Sequence, residues 1–193
     1  MSRWGTLALV FVAAAISACS TSPAVEIEAS ETTTARTPRI TDDSGRPPVT
    51  FDPCYDIPDE VMEDLGYDAG SKELEDMPMG SYTFLGCGYE GTVSVPGVLA
   101  RYDLLVLAGN VSLDEELEKN GTIAEETQVN GRRALLEVDP STRDTCRYFL
   151  QTDFGMVGFS RIHHKDHAGP VPQDEWCAGF KDLVRTLETF IQA

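Results

Sequence analysis

Apolar and polar positions divide this chain into three regimes. Leu7 to Ile16 is an uncharged apolar run. It falls short of the roughly 20 apolar residues that a transmembrane helix needs. The best later candidate, Leu104 to Gly109, has only the length of a strand. Ser20 to Val49 is almost empty of large apolar residues. Ser30 to Thr34 is polar, and Pro23, Pro38, Pro47 and Pro48 are scattered through the segment. Such a stretch cannot bury enough surface to offset its ordering entropy, so residues 19–49 read as a disordered Ser/Thr/Pro linker. From Phe51 onward, apolar residues recur with the periods of strands and helices.

Pro58 to Gly66 predicts a short helix. Asp56 is placed to cap it, Gly66 to end it, and Val61, Met62 and Leu65 share one side. Ser81 to Glu90 predicts a strand weakened by its glycines, and Tyr102 to Ala108 a clearer buried one. Ser112 and Glu115 have the spacing of a capping box at the start of a helix that Gly121 ends. Thr122–Val129 and Arg132–Val138 flank Asn130-Gly131, a strong hairpin signal because both residues tolerate positive φ. Arg143–Thr152 and Met156–Ile162 predict a second pair, turning at Asp153-Phe154-Gly155. Within Gln173–Ile191, Trp176, Phe180, Leu183, Val184, Leu187 and Ile191 recur at helical spacing. This predicts a terminal amphipathic helix that carries Cys177. The pattern predicts an α+β two-layer sandwich: a mostly antiparallel sheet covered by the C-terminal helix, with a short N-terminal helix. Residues 50–193, about 140 residues, form one domain large enough to bury its own core.

The first apolar run gains meaning from its flanks. Arg3 precedes it, and Ile16-Ser17-Ala18-Cys19 closes it with small residues before a cysteine. This is the order of a secretory signal, over residues 1–18, ending in a bacterial lipobox. Cys19 then receives a diacylglyceryl group, palmitate among its acyl chains, and the chain is cut before it. The competing reading is an ordinary secretory signal cut near Ala18. Two or three acyl chains hold a protein on a membrane stably where one does not. The expected location is the extracytoplasmic face of the cell membrane. A flexible spacer of this length sets the domain roughly 30 Å from that surface.

Four cysteines then remain: Cys54, Cys87, Cys146 and Cys177. In an exported domain they imply two disulfides, with three possible connectivities. Cys54–Cys87 and Cys146–Cys177 is the favoured pairing, since neighbours in sequence most simply staple each half. Each bridge closes a loop of about 30 residues, worth roughly 3–4 kcal/mol in the chain-entropy picture. The competing zinc site lacks any C-x2-C pair.

The net charge of −17 argues against nucleic acid and against docking on anionic headgroups. Asp114-Glu115-Glu116 with Glu118 reads as a solvated helical face and lacks the pattern of a calcium loop. The sharpest chemical candidate is His163-His164-Lys165-Asp166-His167, in which His163 and His167 would meet on one helical face as metal ligands. Gly169-Pro170 and Pro172 follow directly and Lys165 repels a cation, so an exposed polar turn is the preferred reading. No Gly-x-Ser-x-Gly elbow and no phosphate-cradling Gly-rich loop followed by Lys occurs. Nothing in the sequence calls for a cofactor or marks catalytic residues, and the expectation is a non-enzyme.

The order of features resembles the DUF3558 family of actinobacterial lipoproteins, found in mycobacteria and nocardiae. The residues that carry the resemblance are Phe51-Asp52-Pro53-Cys54, the Pro-led helix ending in Leu65-Gly66, and Cys87 with an aromatic two residues on. Val129-Asn130-Gly131-Arg132 with Ala134, the late-strand Cys146 and the C-terminal Cys177 complete it. The resemblance spans Phe51 to the C-terminus, and one departure is Tyr89 in place of Trp. It implies a cell-envelope location and two disulfides and little about activity, since the family is named for lacking an assigned function. The expected function is a non-catalytic binding or accessory module that takes an envelope protein or small ligand on the uncovered sheet face. The alternatives are a structural subunit of an envelope secretion or transport complex, and a hydrolase or metal-dependent enzyme.

Overall fold

The computed structural model describes residues 39–40, 43–91, 100–141, 145–165 and 177–192, with backbone alone for 100–102 and 163–165. Among the described residues the elements follow in the order α1 (Pro53–Asp56), α2 (Asp59–Asp64), β1 (Tyr67–Leu74), β2 (Met77–Met79), β3 (Tyr82–Gly91), β4 (Ala100–Gly109), α3 (Leu113–Asn120), β5 (Ala124–Val129), β6 (Arg132–Glu137), β7 (Thr145–Gln151), β8 (Met156–Lys165) and α4 (Phe180–Glu188). Among the described residues no helix is long and apolar enough to cross a membrane.

The strands form one antiparallel sheet in the order β1-β3-β4-β8-β7-β6-β5, with β2 beside β1 on the flank of β3. Two meanders, β1–β4 and β5–β8, join through the long β4–β8 ladder, which runs from Ala100↔Lys165 to Gly109↔Met156. Helix α3 carries the chain from that central strand to the far edge at β5.

Strand alternation sorts the side chains onto two faces. Cys87 and Tyr89 of β3, Leu104, Val106 and Ala108 of β4, and Val157 and Phe159 of β8 point to one side. There they meet Phe51, Ile57 and Met62 near α1 and α2, and Phe180, Leu183, Val184 and Leu187 of α4. A nine-residue helix is marginal alone. Burial of four large apolar side chains, each worth about 1.5–3 kcal/mol, holds α4 in place. On the other side Phe84 lies over Gly109 and Phe149 over Gly158; a Cβ on either glycine would run into the ring. The glycines on this face are therefore filled by aromatic neighbours on adjacent strands.

The disulfides are Cys54–Cys87 and Cys146–Cys177, with Cα atoms 5.1 and 5.5 Å apart. The first ties α1 to β3, and the second ties the segment before α4 to β7. Tyr89, standing where the resemblance expects Trp, is buried, and its hydroxyl donates to the Pro53 carbonyl at 3.3 Å. Burial, with Asp59 and Asp52 nearby, pushes its phenol up to about 12.

Several expectations change locally. Asp56 does not cap the second helix. Asp52 caps α1 by accepting from the Cys54 N–H at 3.2 Å, and Asp56 reaches back to the Asp52 N–H at 2.7 Å. Cys177 precedes α4, which begins after Gly179 at φ 66° and does not extend back over the described residues before it. Strands β1 and β2 were not legible: β1 carries Gly70, Lys72 and Glu73, half of it faces solvent, and its register shifts between Asp68 and Glu73. The described end of the segment read as a linker packs on the domain. Arg39 lies between Asp52 and Asp76 at 3.1 and 3.0 Å, Arg46 pairs with Glu115 at 2.7 Å, and Val49 packs against the core. Arginine stems cover apolar surface without registering as apolar positions. The signal segment and Cys19 lie outside the described residues.

Candidate functional site

Among the described residues, the face opposite α4 is only partly covered. Helix α3 lies over one corner, where Leu113 and Leu117 meet Leu135, Met156 and Phe149. Phe84, Leu105, Leu107 and Phe149 on this face are half-buried. At the sheet edge Met77 and Met79 are 36% and 54% exposed. Met77 pairs with Phe84 and Met79 with Tyr82, so the two methionines share their face and carry the apolar strip to the edge. Leu74 is also exposed, but it pairs with Cys87 and belongs to the other side of the sheet.

This edge is braced. The Glu75 N–H donates to the Gly86 carbonyl at 3.1 Å, and the Gly86 N–H donates to Asp76 Oδ1 at 3.0 Å. A Cβ at Gly86 would strike the Glu75 carbonyl, so the close approach requires glycine. Arg39 ties Asp76 to Asp52, beside the Cys54–Cys87 bridge. Glu73 and Glu75 border the strip and are exposed. The arrangement presents adaptable thioether side chains on a rigid platform with an acidic rim.

A polar cleft of about 190 Å³ opens between the start of α3 and the β7–β8 turn, lined by Arg46, Asn110, Ser112, Asp114, Arg133 and Thr152 among others. Its cations are already matched. Arg46 grips Glu115 with two hydrogen bonds of 2.7 and 3.1 Å, stacks 4.3 Å over the Tyr82 ring and donates to the Asn110 carbonyl. Arg133 is shared between Asp114 and Glu126. The hydrogen bonds from Arg46 and from the Ser112 N–H and hydroxyl hold the Glu115 carboxyl down to about 2. Its folded value lies below its unfolded one, so its contribution is present above about pH 4.5 and fades as pH falls toward 2.

Behind α3 lies a pair of carboxylates. Glu116 is 8% and Glu137 2% exposed, and Asn120 Nδ2 donates to Glu116 Oε1 at 2.6 Å. Burial, reinforced by Glu116, pushes Glu137 up to about 7. The expectation of a solvated acidic face on α3 holds for the exposed Asp114 and Glu118 and is corrected for Glu116. Leu113, Glu116, Leu117 and Asn120 recur at helical spacing and face the sheet, which carries Glu116 inward while Ser112 and Glu115 form the capping box. A Glu among two leucines reads as solvent-facing until the helix axis is placed.

The predicted cysteine pairs are both in place. His163 and His164 are not in a turn or on a helix. They extend β8, opposite Tyr102 and Arg101 of β4, because the strand continues past Ile162 to complete the central ladder. His167 lies outside the described residues. Among the described residues no group of three or more His, Cys, Asp or Glu is arranged to hold a metal ion. The polar cleft was invisible in sequence because its walls come from segments far apart along the chain.

These features define a class: an antiparallel α+β domain closed by two disulfides, with one sheet face partly open. The chain belongs to the DUF3558 family, described as a protein of unknown function, whose family model matches residues 14–189. No curated protein and no solved structure matches the chain.

Proposed function

We propose that this chain is a non-catalytic docking module of the cell envelope, held on the extracytoplasmic face of the membrane by lipid on Cys19, as in the actinobacterial lipoproteins it resembles. It binds a protein partner on the open face of its sheet. The observation that carries the reading is the apolar strip of Phe84, Leu105 and Leu107, which ends in exposed Met77 and Met79 on a braced edge. Contiguous exposed apolar surface with a polar rim is the usual mark of protein association. The rim here is acidic, which suits a partner whose contact surface has an apolar centre and basic border. The Ile16-Ser17-Ala18-Cys19 sequence supports the anchor, and the family match begins at Ala14, ahead of that cysteine. A subunit role in an envelope complex is the same reading at larger scale, since such a subunit needs this kind of face.

Photocrosslinking in intact cells tests it, with the reactive side chain placed at Met79 or at Asp182 on the outer side of α4. A discrete partner captured from Met79 and not from Asp182, and lost when Met77→Asp is added, is the expected result. Equal capture from both positions, or none from Met79, would sink the docking face.

A further inference from the structure

Glu116 and Glu137 are the most deeply placed acids of the α3 interface, and they come from elements packed against each other. Glu137 sits on the β6 face that α3 covers, alternating with Leu135. Its Oε1 is buried and has no hydrogen-bond partner. The groups around the pair offer little compensation. From α3, Asn120 donates its amide to Glu116 at 2.6 Å and also hydrogen-bonds Glu137, which favours the charged form, while Lys119 acts only as a minor attraction. From β7, Arg147 pairs with Glu137 in the ladder but ranks below burial and Glu116 in its influence. From β5, Ala124 stands opposite Glu137, and Glu126, further along the same face, is taken by Arg133. Asp114 is also held by Arg133, and Glu115 by Arg46. Two ionised carboxylates confined here would repel each other in a medium that screens poorly. A proton on Glu137 removes that repulsion and neutralises the carboxyl whose Oε1 is buried without a partner.

We infer that Glu137 holds a proton in the folded protein beside the buried Glu116, and that this proton clamps α3 onto the sheet, so that α3 docks fully in mild acid and loosens as the medium turns alkaline. The direction follows from linkage. The Glu137 value is raised from 4.5 to about 7, so the folded state holds the proton more tightly than the unfolded chain. The stabilisation is complete below pH 4.5 and is lost as pH rises through about 7. Across that window the folding constant falls by up to about tenfold per pH unit from this pair alone. The helix that responds also contributes Ser112 and Asp114 to the polar cleft, and Leu113 and Leu117 to the cluster that contains Phe84 and Phe149.

The test is a carboxyl-carbon NMR titration of the full chain, with amide hydrogen exchange followed in parallel. One carboxyl of the pair should titrate near neutrality. The α3 amides should lose protection between pH 6 and 8.5 by more than tenfold beyond the intrinsic rise in exchange. Glu137→Gln should abolish the neutral titration, flatten the protection profile and melt higher than the unsubstituted protein at pH 8. Glu116→Gln should move the Glu137 titration down without abolishing it, since burial is the larger cause. Both carboxyls titrating between pH 4 and 5, with α3 protection that tracks intrinsic exchange, would overturn the inference. The titration of the unsubstituted chain decides the matter even if a variant fails to fold.

Discussion

Arg39 shows how much one side chain outside the predicted domain contributes. Its guanidinium joins Asp52, which caps α1, to Asp76, which braces the β1–β2 connection, and it stacks 5.6 Å from the Tyr55 ring. It is 12% exposed, and Asp52 9%. Removing one partner of a buried ion pair leaves the others desolvated and unmatched. Arg39→Ala should therefore destabilise the domain by about 2–4 kcal/mol in urea unfolding. A change within ±0.5 kcal/mol would mean that solvent already compensates the two carboxylates. At this scale little was legible beforehand. An arginine after a proline carries no pattern, and its partners lie far along the chain. Glu116 misled for the same reason: it stands in an acidic run in sequence, and in space it turns inward toward Asn120 and Glu137.

Elements were legible where the signal is local. Asn130 and Gly131 take φ 50° and 88°, as the hairpin requires, and Ser112 with Glu115 forms the expected capping box. The hairpin also does what no local rule specifies. Asn130 Nδ2 donates to the Arg185 carbonyl and to Glu188, and Arg132 pairs with Glu188 at 2.7 Å, so the turn grips the end of α4. The other end of α4 is held by the Cys146–Cys177 bridge and by Arg161, which donates to the Ala178 carbonyl and stacks 4.7 Å over Phe180. Cys146→Ser with Cys177→Ser should cost about 3–4 kcal/mol from the freed loop. Hydrogen exchange should report faster opening of α4 than of the β4–β8 ladder. Uniform acceleration across both would show that the bridge stabilises the whole domain and not the helix. Strands β1 and β2 escaped prediction because β1 is half-solvated with a register shift and β2 has only three exposed residues, which removes the alternation that reveals a strand.

For the whole molecule, the proposed lipid anchor and the proposed docking face belong to one reading. A tethered domain that docks a partner gains effective concentration from its attachment, and losing the tether should lose the docking in cells. Cys19→Ala should leave the protein unprocessed or in the soluble fraction on cell fractionation. Normal membrane retention of that variant would remove the lipid from the account. In the proposed docking role the same variant should give weak crosslinking from Met79, since the untethered module would lose the proximity that its attachment supplies.

The elements from β3 onward, the sheet-dominated α+β class, the favoured disulfide pairing and the amphipathic terminal helix were legible in the sequence, because each rests on periodicity, turn chemistry or the order of the cysteines. Which face of the sheet stays open, which acids are buried and where the edge strands lie were decided only by the tertiary structure. Those depend on how β4 and β8 bring the two meanders together and on where α3 comes to rest in crossing from the sheet centre to its far edge. That placement draws Glu116 toward Glu137 and leaves Met77 and Met79 at an uncovered rim. Side chains from distant segments meet there, and no pattern within a single segment encodes such a meeting.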